Sequence, residues 1–126
     1  MSKLPQNLHL GVSSFIVLLM AFVYGANPSG ILPYIFGFEV EDIELKNIFR
    51  AIMGLYMAFG GYWIYGLFHK SHWRSATLAN ILFMSGLVFG RVLSTILDGW
   101  SPQYGIGMVG EAVLMWWGYW NLKYYK

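Results

Sequence analysis

Cysteine is absent from the sequence, and its absence removes disulfides, thiolate nucleophiles, iron–sulfur clusters and thiolate zinc sites together. Charge is nearly as scarce. Asp, Glu, Lys and Arg make up 11% of the 126 residues, where soluble globular chains carry about a quarter. The formal net charge of +2 is too small to point to nucleic acid as a partner. Internal repeats, low-complexity tracts, phosphate loops, nucleophile elbows and zinc motifs are missing as well.

Apolar material fills the space these absences leave, with 57% hydrophobic and 19% aromatic residues. A chain of this composition belongs in lipid. A hydrocarbon core of about 30 Å needs about 20 mostly apolar residues per spanning helix, so the length supplies four such helices and little else. The spacing predicts them at about residues 8–25, 42–68, 75–97 and 104–122, in a single all-α transmembrane domain covering 1–126. The first segment carries no charge, and its Ser13 and Ser14 can bond back to helix carbonyls. A signal peptide is the competing reading of that segment, with Lys3 as its basic region, but Tyr24-Gly25-Ala26 is a poor small-x-small cleavage site.

Orientation follows from the basic residues, because short cytoplasmic loops carry the excess of Lys and Arg. Lys3, Lys70, Arg74, Lys123 and Lys126 fall at the N-terminus, the second connection and the C-terminus. Between the first two helices lie Glu39, Glu41, Asp42 and Glu44 against Lys46, and between the last two Asp98 has no basic neighbour. Both termini are therefore expected in the cytoplasm. Aromatic belts agree, with Tyr62, Trp63, Trp73, Trp116 and Trp120 among those at the inner interface and Tyr24, Tyr34, Trp100 and Tyr104 at the outer one. Small residues let helices approach closely in lipid. Gly86 and Gly90, Gly54 and Ala58, and Gly105, Gly107 and Gly110 are candidates, either for packing within the bundle or for association with another chain.

Three charges interrupt the apolar segments: Arg50, Arg91 and Glu111. The topology puts all three in the outer leaflet, each about two turns from a helix end. Asn47 and Arg50 share one helical face, and Arg91, Ser94, Thr95 and Asp98 share another. A charge at mid-bilayer costs about 2.5–3.5 kcal/mol on insertion scales, so such residues face the bundle interior or water and find partners. Two readings follow. In one, Arg50, Arg91, Asp98 and Glu111 form a charge-neutral staple between helices, with Asn47, Ser94 and Thr95 satisfying what remains. In the other, Asn47, Arg50, Arg91, Ser94, Asp98 and Glu111 line an outer-leaflet pocket for a polar or anionic headgroup, since arginine reads carboxylate and phosphate.

The stretch "NPSGILPYIFGFEVEDIEL", residues 27–45, contains the long first external connection, residues 27–41, apolar at first and acidic later. Long connections are functional lids or disordered, and this one is too apolar for disorder. It reads as a loop or half-helix folded over the outer mouth, or as an interfacial segment lying among headgroups. His69 and His72 are three residues apart but lack a further ligand, so no metal or other cofactor is expected. His9, at the inner end of the first helix, offers no better haem site, and the aromatics read as belts and packing rather than a quinone site.

"NIFRAIMGLYMAFG" (47–60), "GRVLSTILDG" (90–99) and Glu111 together resemble a bacterial family of small four-helix membrane proteins classed as a domain of unknown function. Its pattern is matched by Asn47, Arg50, Ala51, Gly54, Gly90, Arg91, Ser94, Asp98, Gly99 and Glu111. The resemblance implies a four-helix bundle in a bacterial inner membrane and no particular activity. The functional expectation is a non-enzymatic protein that binds a polar or anionic headgroup, such as that of a membrane lipid, in the outer-leaflet pocket of Asn47, Arg50, Arg91, Ser94, Asp98 and Glu111. The alternative is an accessory subunit packed against a larger membrane complex or a second copy of itself. An enzyme using Glu111 as general base is disfavoured, because a carboxylate engaged by two arginines is a poor proton acceptor.

Overall fold

The computed structural model describes residues 3–125, with side chains from Pro5 onward. Lys126 and the Lys3 side chain, both used in the charge count above, lie outside the described residues. The order of elements is α1 (Lys3–Gly25), α2 (Pro28–Phe36), α3 (Ile43–Phe68), a 3₁₀ turn (Lys70–His72), α4 (Trp73–Asp98) and α5 (Pro102–Tyr124). No strand occurs among the described residues. Three helices, Pro5–Gly25, Ile43–Phe68 and the run Lys70–Asp98, are long and apolar enough to cross a membrane, which marks the chain as a membrane protein. In α5, Gln103, Glu111, Asn121 and Lys123 lower the hydropathy.

Local chemistry sets the ends of these elements. Pro28 opens α2 from the first turn, where a missing N–H costs nothing. Gly37 closes it at φ +81°, with its N–H shared between the carbonyls of Leu32 and Pro33. That left-handed cap is open to glycine without the Cβ penalty other residues meet. Residues 27–41 thus contain a two-turn helix, the half-helix form of the expected cover. At α5, Pro102 follows Ser101, whose hydroxyl accepts from the Tyr104 amide. Caps and the 3₁₀ turn extend the helices two residues or so beyond the apolar runs, so α4 begins at Trp73 rather than 75 and α5 spans 102–124 rather than 104–122.

Packing pairs α1 with α3 and α4 with α5 along their lengths. The glycines that allow close approach are not those the GxxxG spacing singles out. At Gly60 a methyl group would meet Val17 and Leu18 of α1 at 2.8 Å; at Gly66 it would overlap Ala76; at Gly118 it would meet the His9 ring at 2.8 Å. Gly54, Gly86, Gly90, Gly107 and Gly110 have open space instead. The reason is rotational: Gly86 lies two residues past Met84, on the opposite side of α4 from the buried stripe Trp73, Ala76, Thr77, Asn80 and Met84. Large apolar side chains such as Phe15, Phe89, Ile96 and Ile106 point outward. Lipid tolerates that arrangement and water does not.

A polar layer crosses the interior near the 3₁₀-turn end. His9, Ser13, Thr77 and Asn80 are fully buried, and His9 Nε2–H donates to the Leu114 carbonyl at 2.9 Å, tying α1 to α5. Ser14 bonds back to Gly11 at 3.1 Å as expected. Ser13 faces inward and makes no such bond. Nothing in the hydropathy pattern distinguishes two adjacent serines on a helix; only the position of α3 and α4 does.

Candidate functional site

Arg91 and Glu111 sit on neighbouring faces of α4 and α5, and the tight α4–α5 connection sets them level. Trp100, folded over Gly105, fills the space a side chain would take there, and the carbonyl of Ser101 accepts from the Gly105 amide. Arg91 Nε–H donates to Glu111 Oε1 at 2.7 Å and Nη2–H to Oε2 at 2.9 Å, a bidentate fork. Thr95 Oγ1 donates to the Arg91 carbonyl at 2.8 Å. The guanidinium carbon lies 5.0 Å from the centre of the Tyr104 ring, within cation–π range. The pair is largely buried, with 19% and 15% of the two side chains exposed.

Beside this pair a cleft of about 450 Å³ opens between α1, α4 and α5. Its volume falls in the range of small-ligand pockets. Ile16, Val17 and Met20 of α1, Phe83, Met84 and Leu87 of α4, and Val113, Leu114 and Trp117 of α5 form apolar walls, and Tyr56 of α3 closes the back. From Gln103 to Trp117 the cleft follows α5 for roughly 20 Å by helical rise. The charged and amide side chains, Arg91, Glu111 and Gln103, gather at one end with Tyr24 and Tyr104, and the Trp117 indole lies at the other.

The short helix α2 covers that end. Phe36 stacks on Tyr104 and Tyr24, with ring centres 5.1 and 6.1 Å away. Gln103 Nε2–H donates to the Phe36 carbonyl at 3.1 Å. Arg50 secures the other end of the cover: its Nη1–H groups donate to the carbonyls of Gly25 and Ala26 at 2.9 and 3.0 Å, at the corner from which α2 starts.

Of the six residues predicted to share a site, the structure brings Arg91 and Glu111 into contact. Arg50 is occupied at the α1–α2 corner, and Asn47 is exposed one turn before it on α3. Ser94 donates to Asp98 at 3.0 Å on an exposed face, and Ser94 shares with Arg91 and Tyr104 the lining of a second depression beside Gly86 and Gly90. Asp98 therefore pairs with Ser94 rather than with Arg91. A helical wheel places Asp98 on the same face as Arg91, but two turns along a helix separates them by about 10 Å, and Glu111 meets the guanidinium from another helix at contact distance.

Sequence reasoning missed Tyr24, Phe36, Tyr56, Gln103 and Tyr104 as cleft residues, because Tyr24 and Tyr104 read equally well as an interfacial belt. The local signal that existed was Phe36 in an apolar connection needing a surface to cover. His69 stacks on Tyr65 with ring centres 3.9 Å apart, and His72 Nδ1 lies 3.2 Å from the Tyr62 hydroxyl. Among the described residues no three His, Cys, Asp or Glu side chains gather as a metal site would require.

Comparison with curated proteins gives no match, and comparison with solved structures gives none. A family model for a domain of unknown function, DUF4345, matches residues 5–125, nearly the whole chain, and the protein therefore belongs to the DUF4345 family.

Proposed function

We propose that this protein is a four-span membrane protein of a bacterial inner membrane, with both termini in the cytoplasm, that binds a membrane amphiphile in the cleft between α1, α4 and α5. The polar head would rest on Arg91 and Glu111 in the outer leaflet, and the hydrocarbon chain would run along the apolar walls toward Trp117. The observation that carries this reading is the asymmetry of the cleft, whose charged and amide side chains, Arg91, Glu111 and Gln103, lie at the end beneath α2. A simple staple needs no cavity beside it. Among the other expected site residues, Arg50 acts by anchoring the corner from which the cover begins, while Asn47, Ser94 and Asp98 stand outside the cleft.

Native mass spectrometry of the protein extracted in mild detergent tests the proposal. A reproducible adduct of lipid size, lost in Arg91→Gln while the protein stays folded, is the expected result. No adduct from any gentle extraction overturns it.

A second reading, an accessory subunit, draws on the unfilled glycine faces of α3 and α4. Gly86 and Gly90, four apart and without an internal partner, offer another membrane helix the close approach that small-xxx-small faces allow. The same spectra separate the two readings: a partner at fixed stoichiometry with no small adduct favours the subunit.

A further inference from the structure

Resting on the amphiphile reading above, we infer that the head held at Arg91 and Glu111 is uncharged and carries a hydroxyl group. Arg91 and Glu111 are the two charged side chains lining the cleft, and they cancel each other through two parallel hydrogen bonds. An anionic head reaching the guanidinium would lie against the Glu111 carboxylate as well, and a cationic head reaching the carboxylate would lie against Arg91. In a poorly solvated mouth either juxtaposition is strongly unfavourable. Arginine alone would select phosphate or carboxylate; arginine already forked to a carboxylate does not.

The remaining hydrogen-bonding capacity narrows the head further. The fork uses Nε–H and one Nη2–H of five guanidinium donors and the Tyr24 side chain engages a further one, so N–H groups still remain to donate, and the Glu111 oxygens retain lone pairs that can accept. A donor and an acceptor therefore stand side by side. A hydroxyl uses both, accepting from Arg91 and donating to Glu111, where a carbonyl or ether would leave the carboxylate side unanswered. Phe36 and Tyr104, ring centres 5.1 Å apart, line the same end of the cleft and place carbon surface beside such a hydroxyl. Two lipid classes share this chemistry, acylglycerols and polyprenols.

The test offers the purified protein, in maltoside micelles, three probes at equal concentration and counts retained adducts by native mass spectrometry. The probes are monooleoylglycerol, farnesol, and oleoyl lysophosphatidic acid, which has the same chain as the first but an anionic head. Retention of monooleoylglycerol or farnesol at least about tenfold above lysophosphatidic acid, the scale of a modest charge penalty, supports the inference, and the better of the two neutral probes identifies the class. Equal or stronger retention of lysophosphatidic acid overturns the uncharged head but leaves the cleft as a lipid site. Retention of none of the three overturns the amphiphile reading itself. Glu111→Gln supplies a second arm: with the countercharge gone, lysophosphatidic acid should gain about tenfold, and no gain in a folded variant argues against charge cancellation as the selecting feature. The wild-type comparison decides the matter without that variant should it fail to fold.

Discussion

Arg91 and Glu111 serve packing and recognition at once, and single-residue changes separate the two roles. Replacing Arg91 by Gln leaves the Glu111 carboxylate without its fork. Breaking such a pair is expected to lower unfolding stability by about 2–3 kcal/mol, the lower part of the range for buried pairs, because both side chains keep some exposure. The double change Arg91→Met with Glu111→Met removes both charges and is expected to recover most of that loss, since apolar replacement of a buried pair is often neutral. Thermal unfolding in detergent measures the stability, and the double variant should regain it while the adduct stays lost. Recovery of both would mean that the cleft recognises the chain and ignores the pair. At the opposite end, Gly118→Ala drives a methyl group into the His9 ring, which is held by its bond to Leu114. A loss of roughly 1–3 kcal/mol, typical of overpacking, is expected in the same assay.

Among the elements, α2 depends on its cap. Gly37 at φ +81° makes any L side chain costly, and Gly37→Ala should weaken the cover by about 1–2 kcal/mol. Because Phe36 is the residue before that cap and stacks on Tyr104, the variant should release a bound amphiphile faster while global unfolding changes less; equal effects on both would make α2 a structural brace and not a cover. The glycines of α3 and α4 give the reverse contrast. Gly60→Ala meets Val17 and Leu18 and should destabilise the α1–α3 pair. Gly86→Ala meets open space and, on helix propensity alone, should be neutral or stabilising by up to about 1 kcal/mol. A loss of stability at Gly86 specific to native membranes would indicate that another helix packs there.

For the whole molecule, the absence of cysteine makes topology directly measurable. Ser71→Cys, in the 3₁₀ turn between α3 and α4, is expected to react with a membrane-impermeant maleimide only after the cells are opened. Glu39→Cys, after α2, is expected to react in intact spheroplasts. Both positions are exposed. The opposite labelling pattern would invert the bundle and put Arg91 and Glu111 in the inner leaflet, moving the proposed lipid site with them.

The helical, membrane-embedded character of the chain was legible in composition alone, because apolar length and low charge act additively along the sequence and need no partner. The four long helices were legible to within a few residues except at α1, where the structure carries the helix back to Lys3, five residues before the expected start, and the short α2 had no expected bounds. The last turns at the other ends depend on caps, such as Ser101 on the Tyr104 amide. Arg91 and Glu111 stood out for the same local reason, as charges inside apolar runs. What the sequence could not rank was their partners. Arg50, Arg91, Asp98 and Glu111 offered several neutral combinations at similar depth, and the choice of Arg91 with Glu111, Arg50 with the Gly25–Ala26 carbonyls and Asp98 with Ser94 depends on how each helix is rotated about its axis. The same rotation decides that Gly118 and Gly60 are closely packed while Gly86 and Gly90 are bare. Rotation is set by the sum of contacts between helices distant in sequence, so it belongs to the tertiary structure, and the cleft under α2 exists because of it.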